Sequence, residues 1–139
     1  MKKFAMALAV SLAALLVTSC GTSSTTSYCP DLFTDTNLPN PIIFPGENWS
    51  VTYSVQATGG APVNSIQYRD ASGILVTVNN PLLPWSYSMV NKAPGTRITL
   101  IAAAVAPPGT VTVETLAEIV VGSGTESRRW SDSCGDNPF

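Results

Sequence analysis

Apolar and polar side chains alternate with a period of two along much of the chain between residues 49 and 121. In the segment 49–56, the odd-numbered positions are aromatic or β-branched, and the even-numbered positions are polar. This repeat is typical of a β-strand with one buried face. The segment 110–121 repeats it, with one face formed by Val111, Val113, Thr115, Ala117, Ile119 and Val121.

Seven segments carry strand patterns, and turn-forming residues separate them. They lie at residues 42–44, 49–58, 66–68, 74–78, 82–90, 96–105 and 110–121. Short strands at this spacing predict an all-β chain, folded as a single small immunoglobulin-like two-sheet β-sandwich of about seven strands. We assign this domain to residues 41–122. Residues 123–139 are rich in Gly, Ser and Asp, and we expect them to form an irregular C-terminal tail.

The first 19 residues have the organisation of an export signal. Lys2 and Lys3 precede an apolar run at residues 4–17, which is shorter than the about 20 residues of a membrane-spanning helix. The run ends in Val17-Thr18-Ser19-Cys20, which resembles the lipobox that lipoprotein signal peptidase cleaves. We expect residues 1–19 to be removed and Cys20 to be acylated. An ordinary cleaved signal or an uncleaved anchor is the alternative.

The residues after Cys20 predict a tether. Residues 21–27 are Gly, Ser and Thr only, and they contain too few apolar groups to fold. Turn-forming residues dominate the segment 30–41, so residues 20–40 are interpreted as the acylated cysteine, the tether and an edge segment. Lipoproteins that are retained in the inner membrane of Gram-negative cells have Asp at the position after the cysteine. Gly21 occupies that position here, so the resemblance implies the outer membrane in a Gram-negative cell. Otherwise the anchored chain would lie on the outer face of the plasma membrane.

Charge argues against one class of partner. Without Lys2 and Lys3, the chain has five basic side chains against nine acidic ones, a formal charge of −4. Arg128 and Arg129 are the only adjacent basic pair. Because nucleic acid binding depends on clustered basic side chains that neutralise phosphates, we do not expect nucleic acid as a partner.

Cys29 and Cys134 remain once Cys20 is acylated. An even pair of cysteines in an exported protein predicts a disulfide, with two free thiols as the alternative. Cys29 precedes the first predicted strand and Cys134 follows the last. The bond is therefore expected to join the two tails of the domain, and not one sheet to the other.

The residues available for catalysis are few. The chain contains no histidine, which excludes Ser-His-Asp and Cys-His mechanisms. Glu114 and Glu118 would lie about 13 Å apart on one strand face, beyond the roughly 5–9.5 Å of a glycosidase pair. We interpret them as solvated charges, and we expect no enzymatic activity, no cofactor and no metal site. Trp49 and Trp85 could form an aromatic binding patch, but their places at strand starts favour core packing.

One part of the sequence resembles a known family. The segment Ile66-Gln67-Tyr68-Arg69-Asp70-Ala71-Ser72-Gly73, followed by Leu83-Pro84-Trp85-Ser86, is similar to the extracytoplasmic domain of the mycobacterial membrane protein small (MmpS) family. The similarity extends from about Val51 to Val121. Members of that family are small β-sandwich proteins that work beside large exporters of lipids or siderophores. They carry an uncleaved membrane helix where this chain has a lipoprotein signal. The resemblance implies a non-catalytic partner in an envelope complex.

The sequence therefore predicts a lipid-anchored binding or accessory module of the cell envelope. Its partners would be membrane lipid, through acylated Cys20, and an envelope transporter or another envelope protein. A structural or surface-shielding lipoprotein is the alternative. The candidate binding residues are Asp70 and Gly73 in a hairpin turn, and Pro84 and Trp85 at the entry to the next strand. An exposed sheet edge that pairs with another strand is a further candidate.

Overall fold

The computed structural model describes residues 28–105 and 109–135, and these residues form eight β-strands and no helix. The predicted signal peptide, Cys20 and the tether lie outside the described residues. The strands are β1 (Tyr28–Asn37), β2 (Trp49–Thr58), β3 (Val63–Arg69), β4 (Leu75–Asn79), β5 (Trp85–Lys92), β6 (Arg97–Val105), β7 (Thr110–Val121) and β8 (Gly124–Gly135).

The strands form two antiparallel sheets of four. Sheet A has the order β1-β6-β3-β4, and sheet B has the order β5-β2-β7-β8. The prediction of an all-β, two-sheet sandwich is confirmed, with eight strands where about seven were expected. Consecutive strands are neighbours only in the β3–β4 and β7–β8 hairpins, so every other connection passes from one sheet to the other.

The predicted inner faces of β2 and β7 form the centre of the core. Trp49, Val51, Tyr53 and Val55 are fully buried, as are Val111, Val113 and Ala117. Val121 is the exception on β7, with 40% of its surface exposed. Sheet A closes the core with Ile66 from β3 and with Ile98, Leu100, Ala102 and Ala104 from β6.

Trp49 is a core residue, as predicted from its place at the start of a strand. Its side chain is fully buried, and its indole Nε1–H donates a hydrogen bond to the backbone oxygen of Pro39, at 3.0 Å. The aromatic ring therefore adds apolar burial while its one polar atom keeps a partner.

The ends of the chain differ from the sequence prediction. The predicted edge segment contains β1, and most of the predicted irregular tail is β8, which pairs with β7 from Val121↔Gly124 to Thr110↔Gly135. The sandwich therefore occupies residues 28–135 and not 41–122, and the prediction of an irregular tail is wrong for residues 124–135. The irregular composition of residues 124–135 did not prevent a strand, because β7 presents a complete row of backbone N–H and C=O groups. The backbone of a polar segment can form hydrogen bonds with these groups as well as that of an apolar segment.

The disulfide between Cys29 and Cys134 is present, with the two Cα atoms 6.0 Å apart. Its role differs from the one expected. Cys29 lies in β1, at one edge of sheet A, and Cys134 lies in β8, at one edge of sheet B. Because both tails are edge strands, the bond ties sheet to sheet.

Two smaller predictions also fail. Residues 42–44, predicted as a strand, lie in a bend between β1 and β2. Ile74, included in the predicted strand 74–78, lies outside β4 and is 62% exposed, because it belongs to the hairpin turn that precedes that strand.

Candidate binding surface

The predicted binding residues fall on one side of the sandwich. Asp70 and Gly73 lie in the turn between β3 and β4, and Pro84 and Trp85 lie where the chain enters β5. Strand β4 is an edge of sheet A, and β5 is an edge of sheet B. We call this side, formed by β4, β5 and the turn Asp70–Gly73, the β4–β5 side.

The turn is built from its own side chain and backbone. The Asp70 carboxylate oxygen Oδ1 accepts hydrogen bonds from Ser72 Oγ at 2.7 Å, and from the N–H groups of Ser72 and Ile74, both at 2.9 Å. These bonds, first that from the Ser72 hydroxyl, hold the pKa of Asp70 below its ordinary value. Gly73, predicted to lie in this turn, has a φ of +84°, a left-handed conformation that glycine adopts without steric cost. Asp70 and Gly73 therefore define the shape of the turn.

Side chains from both sheets hold the tip of this hairpin. The Tyr87 hydroxyl, on β5, accepts a hydrogen bond from the Ala71 N–H at 3.3 Å, and the Lys92 ammonium donates to the Ala71 oxygen. From β3, Arg69 Nη1 donates to the Gly73 oxygen at 2.6 Å. The turn is thus a bridge from sheet A to sheet B across the β4–β5 side.

Aromatic rings fill the space between the sheets at this side. The ring centroid of Tyr68, on β3, lies 5.1 Å from that of Trp85 and 4.6 Å from that of Tyr87. Tyr53 lies behind them, 6.2 Å from Tyr68, and its burial raises the pKa of its hydroxyl to about 12. Tyr68, Trp85 and Tyr87 are only half-buried, so each presents part of its ring to the outside. Trp85 is thus both a packing residue and part of an accessible aromatic surface.

Apolar side chains surround these rings. Leu82, in the loop before β5, is 91% exposed, and Pro84 beside it is also exposed. Ile74 and Leu75 are exposed at the other end of β4. An accessible apolar and aromatic surface of this kind is typical of a protein–protein contact.

Three of the four edge strands carry features that discourage pairing with another strand. β1 has a bulge between Cys29 and Leu32 and exposed Asp35 on its outer face. β5 is bulged near its end, where Lys92 pairs with Trp49. β8 carries several charged side chains, namely Glu126, Arg128, Arg129 and Asp132. Charged side chains and bulges on an edge are the usual protection against unwanted strand pairing.

β4 has none of these features. Its sequence, Leu75-Val76-Thr77-Val78-Asn79, contains no charged residue and no proline, and its pairing with β3 has no bulge. Of the four edges in the described part of the chain, it is the one without a charge, a proline or a bulge.

A buried carboxylate, which the sequence analysis missed, organises the opposite edge. Glu126, on β8, is 3% exposed, and its oxygens accept hydrogen bonds from the Ile42 N–H at 3.0 Å and the Ile43 N–H at 2.8 Å. Arg128 Nη2 donates to the same carboxylate at 2.8 Å. Glu126 thus fixes the bend that presents Ile42 and Ile43 to solvent. This role could not be predicted from sequence, because the backbone donors are more than 80 residues away from Glu126.

Glu126→Gln is expected to lower the melting temperature at pH 7 by roughly 5–10 °C, because it removes the charge from a buried acceptor that is bonded to two backbone N–H groups and to Arg128. The hydrogen bond from Ile42, the largest cause, holds the pKa of Glu126 below its ordinary value. Its stabilisation is therefore complete above the unfolded-state pKa, near 4.3, and declines as the pH falls through the lower folded-state pKa. Melting curves of the wild type and of Glu126→Gln from pH 7 to pH 3 measure how the stabilisation by Glu126 depends on pH.

The matched control is Glu114→Gln, which changes a carboxylate on the outer face of sheet B that is 3.4 Å from Arg129. It should leave the melting temperature nearly unchanged, as for most exposed ion pairs. A gap between wild type and Glu126→Gln that stays constant down to pH 3 would contradict the assigned role.

The remaining carboxylates form no catalytic arrangement that we can identify in the described residues. Glu114 and Glu118 lie on the outer face of β7. Glu118 and Glu47 line a polar groove of about 320 Å³ at the end of sheet B, together with Asn91 of β5. Within residues 28–105 and 109–135, no group of three or more acidic or cysteine side chains is placed to hold a metal ion.

Comparison with known protein families, curated proteins and solved structures gives no match for this chain. In the residues that the structure describes, there is no helix with the length and apolar character needed to cross a membrane.

Proposed function

We propose that this chain is a membrane-tethered, non-catalytic binding or accessory module of the cell envelope. Cys20 would carry the lipid, and residues 21–27 would connect it to the sandwich. The membrane would be the outer membrane in a Gram-negative cell, and otherwise the outer face of the plasma membrane. Its partner would be an envelope protein, and the resemblance to the MmpS family suggests an exporter.

The observation that carries this proposal is the composition of the β4–β5 side. This side brings together the tip of the β3–β4 hairpin, the aromatic rings and the exposed apolar residues, although they come from separate segments of the chain. The other side of the sandwich is closed by the Cys29–Cys134 bond and carries a charged edge strand. A surface that combines a rigid turn with half-exposed aromatic rings supplies large contact area at little entropic cost.

A second candidate function is supported by the outer face of sheet B. Hydroxyl side chains dominate it, namely Ser50, Thr52, Ser54, Ser86, Ser88, Thr112, Thr125, Ser127, Ser131 and Ser133. Thr52 and Ser88 are hydrogen-bonded to each other across two strands at 3.0 Å. A hydrated, weakly charged face of this kind suits a structural or surface-shielding lipoprotein.

Affinity capture from cross-linked native envelopes distinguishes the two functions. The wild type is expected to capture a specific envelope protein that the Trp85→Ala variant does not capture. The reason is that truncating a half-exposed Trp at a contact removes about 2 kcal/mol or more of binding free energy. Trp130→Ala is the matched control, since Trp130 is also half-buried on an edge strand of sheet B but lies on β8. Melting curves of both variants check that they fold.

Recovery of one partner by wild type and Trp130→Ala, but not by Trp85→Ala, supports the accessory function. Equal recovery of abundant envelope proteins by all three forms would contradict it and favour the structural role.

A further inference from the structure

We propose that two copies of this chain associate through β4, pairing antiparallel about a two-fold axis at Thr77. The two copies of sheet A would then form one continuous eight-stranded sheet. This inference goes beyond the proposed function and does not depend on which envelope protein the module binds.

The backbone of β4 offers a complete set of free groups to a second strand. Asp70 N–H donates to the Ile74 oxygen at 2.9 Å, and Asn80 N–H donates to the Asn64 oxygen at 2.8 Å. Hydrogen-bonded and non-bonded pairs alternate along an antiparallel ladder. The odd-numbered residues of β4 therefore direct their N–H and C=O groups away from β3, and no described strand lies beyond them. These residues are Leu75, Thr77 and Asn79.

This alternation restricts the register of self-pairing. Odd-numbered residues of one copy must face odd-numbered residues of the other. Centring the axis on Thr77 pairs Thr77 with its own copy, and pairs Leu75 with Asn79 in both directions. All three outward-facing residues of each β4 then have partners, with about six hydrogen bonds across the junction.

The side chains of β4 complement themselves in this register. Val76 and Val78 face inward and are half-buried, so each has apolar surface that the described residues leave uncovered. The axis places Val76 of one copy beside Val78 of the other on that inner side, and Thr77 beside Thr77 on the outer side. Such cross-strand pairs are favourable, and the absence of charge from β4 means that no like charges meet.

The exposed apolar residues at the ends of β4 fit the same arrangement. Ile74 precedes the strand, and Leu82 follows it after the Asn80–Pro81 turn. In an antiparallel pair, the start of one β4 lies beside the end of the other. Ile74 of each copy therefore comes next to the segment that carries Leu82 of its partner, and both side chains lose solvent exposure.

Cysteine substitutions in the full-length chain test both the contact and its register. Thr77→Cys is expected to give a disulfide-linked dimer, because Cα atoms in a hydrogen-bonded antiparallel pair lie about 5.5 Å apart, within the range of disulfides. Leu75→Cys alone and Asn79→Cys alone should give no disulfide-linked dimer, since each cysteine would be about 13 Å from its own copy along the strand. The two variants expressed together should form a mixed dimer. Ser131→Cys, exposed on β8, is the control.

If the β4 contact is specific, Thr77→Cys should give roughly tenfold or more disulfide-linked dimer than Ser131→Cys. The reason is that two cysteines held together by the contact have a high effective concentration. Equal yields from these two variants, or as much dimer from Leu75→Cys alone as from the mixture, would overturn the proposal.

Thr77→Pro provides a second test that does not depend on cysteine chemistry. Only the outward N–H of Thr77 is lost, and proline is tolerated on an edge strand, so the fold should keep its melting temperature. In non-ionic detergent, the wild-type chain should sediment as a dimer and Thr77→Pro as a monomer. A wild type that sediments as a monomer at every concentration, or a folded Thr77→Pro that remains a dimer, would also overturn the proposal.

Discussion

Replacing both bridging cysteines, Cys29→Ala with Cys134→Ala, is expected to lower the free energy of unfolding by about 4–5 kcal/mol. The bond closes a loop of 105 residues, so its loss releases a large amount of chain entropy in the unfolded state. Denaturant unfolding of the mature chain measures the change. The slope of the transition should also rise, because an unfolded chain without the cross-link exposes more surface.

The variant should nevertheless fold. β8 is hydrogen-bonded to β7 along its whole length, so it does not depend on the disulfide to remain in sheet B. Reduction of the wild type is the control, because it breaks the cross-link and leaves both sulfur atoms in the core. A loss of less than about 1 kcal/mol on reduction would show that the bond adds little to stability, against the chain-entropy estimate.

Cys20→Ala is expected to abolish acylation and removal of the signal peptide. Each buried CH₂ of a lipid chain contributes about 0.8 kcal/mol, so the variant loses the two or three acyl chains that would hold the mature chain on a membrane almost permanently. The variant should accumulate as an unprocessed precursor and incorporate no labelled palmitate. Ser19→Ala is the control, because it keeps the cysteine and a small residue before it. Normal processing of Cys20→Ala would contradict the lipoprotein assignment.

The central strands could be predicted from sequence because burial dictates their composition. β2 and β7 are covered on one face by the opposite sheet, so every second position from Trp49 and from Val111 onward is apolar, except for Thr115 on β7. The turn at Asp70–Gly73 could be predicted for a local reason, since the Asp70 side chain and the conformation of Gly73 act within a few residues of each other.

Two of the four edge strands, β1 and β8, escaped prediction because side-chain burial does not define them. In β8, the inward positions hold Glu126, Arg128 and Asp132 as well as Trp130 and Cys134, so the apolar repeat is missing. β8 exists because β7 offers it twelve consecutive backbone pairs. A pattern of side chains carries little information about such a strand.

The candidate surface could be predicted only in part. Asp70, Gly73, Pro84 and Trp85 were identified from sequence, but their common location depends on β4 and β5 being edges of different sheets. The contact between Tyr68 and Trp85 and the bridge from Tyr87 to Ala71 both cross from one sheet to the other. Strand order, which local sequence does not determine, decides such contacts.

Photo-cross-linking in living cells tests whether the β4–β5 side is the contact surface of a tethered binding module. A photoreactive amino acid would replace Leu82, the exposed residue of that side, or Thr125, an exposed residue of β8. Position 82 is expected to give a discrete covalent adduct with another envelope protein, distinct in mass from a cross-link between two copies of this chain, and position 125 is expected to give none. The same adducts from both positions, or none from position 82 while position 125 gives one, would contradict it.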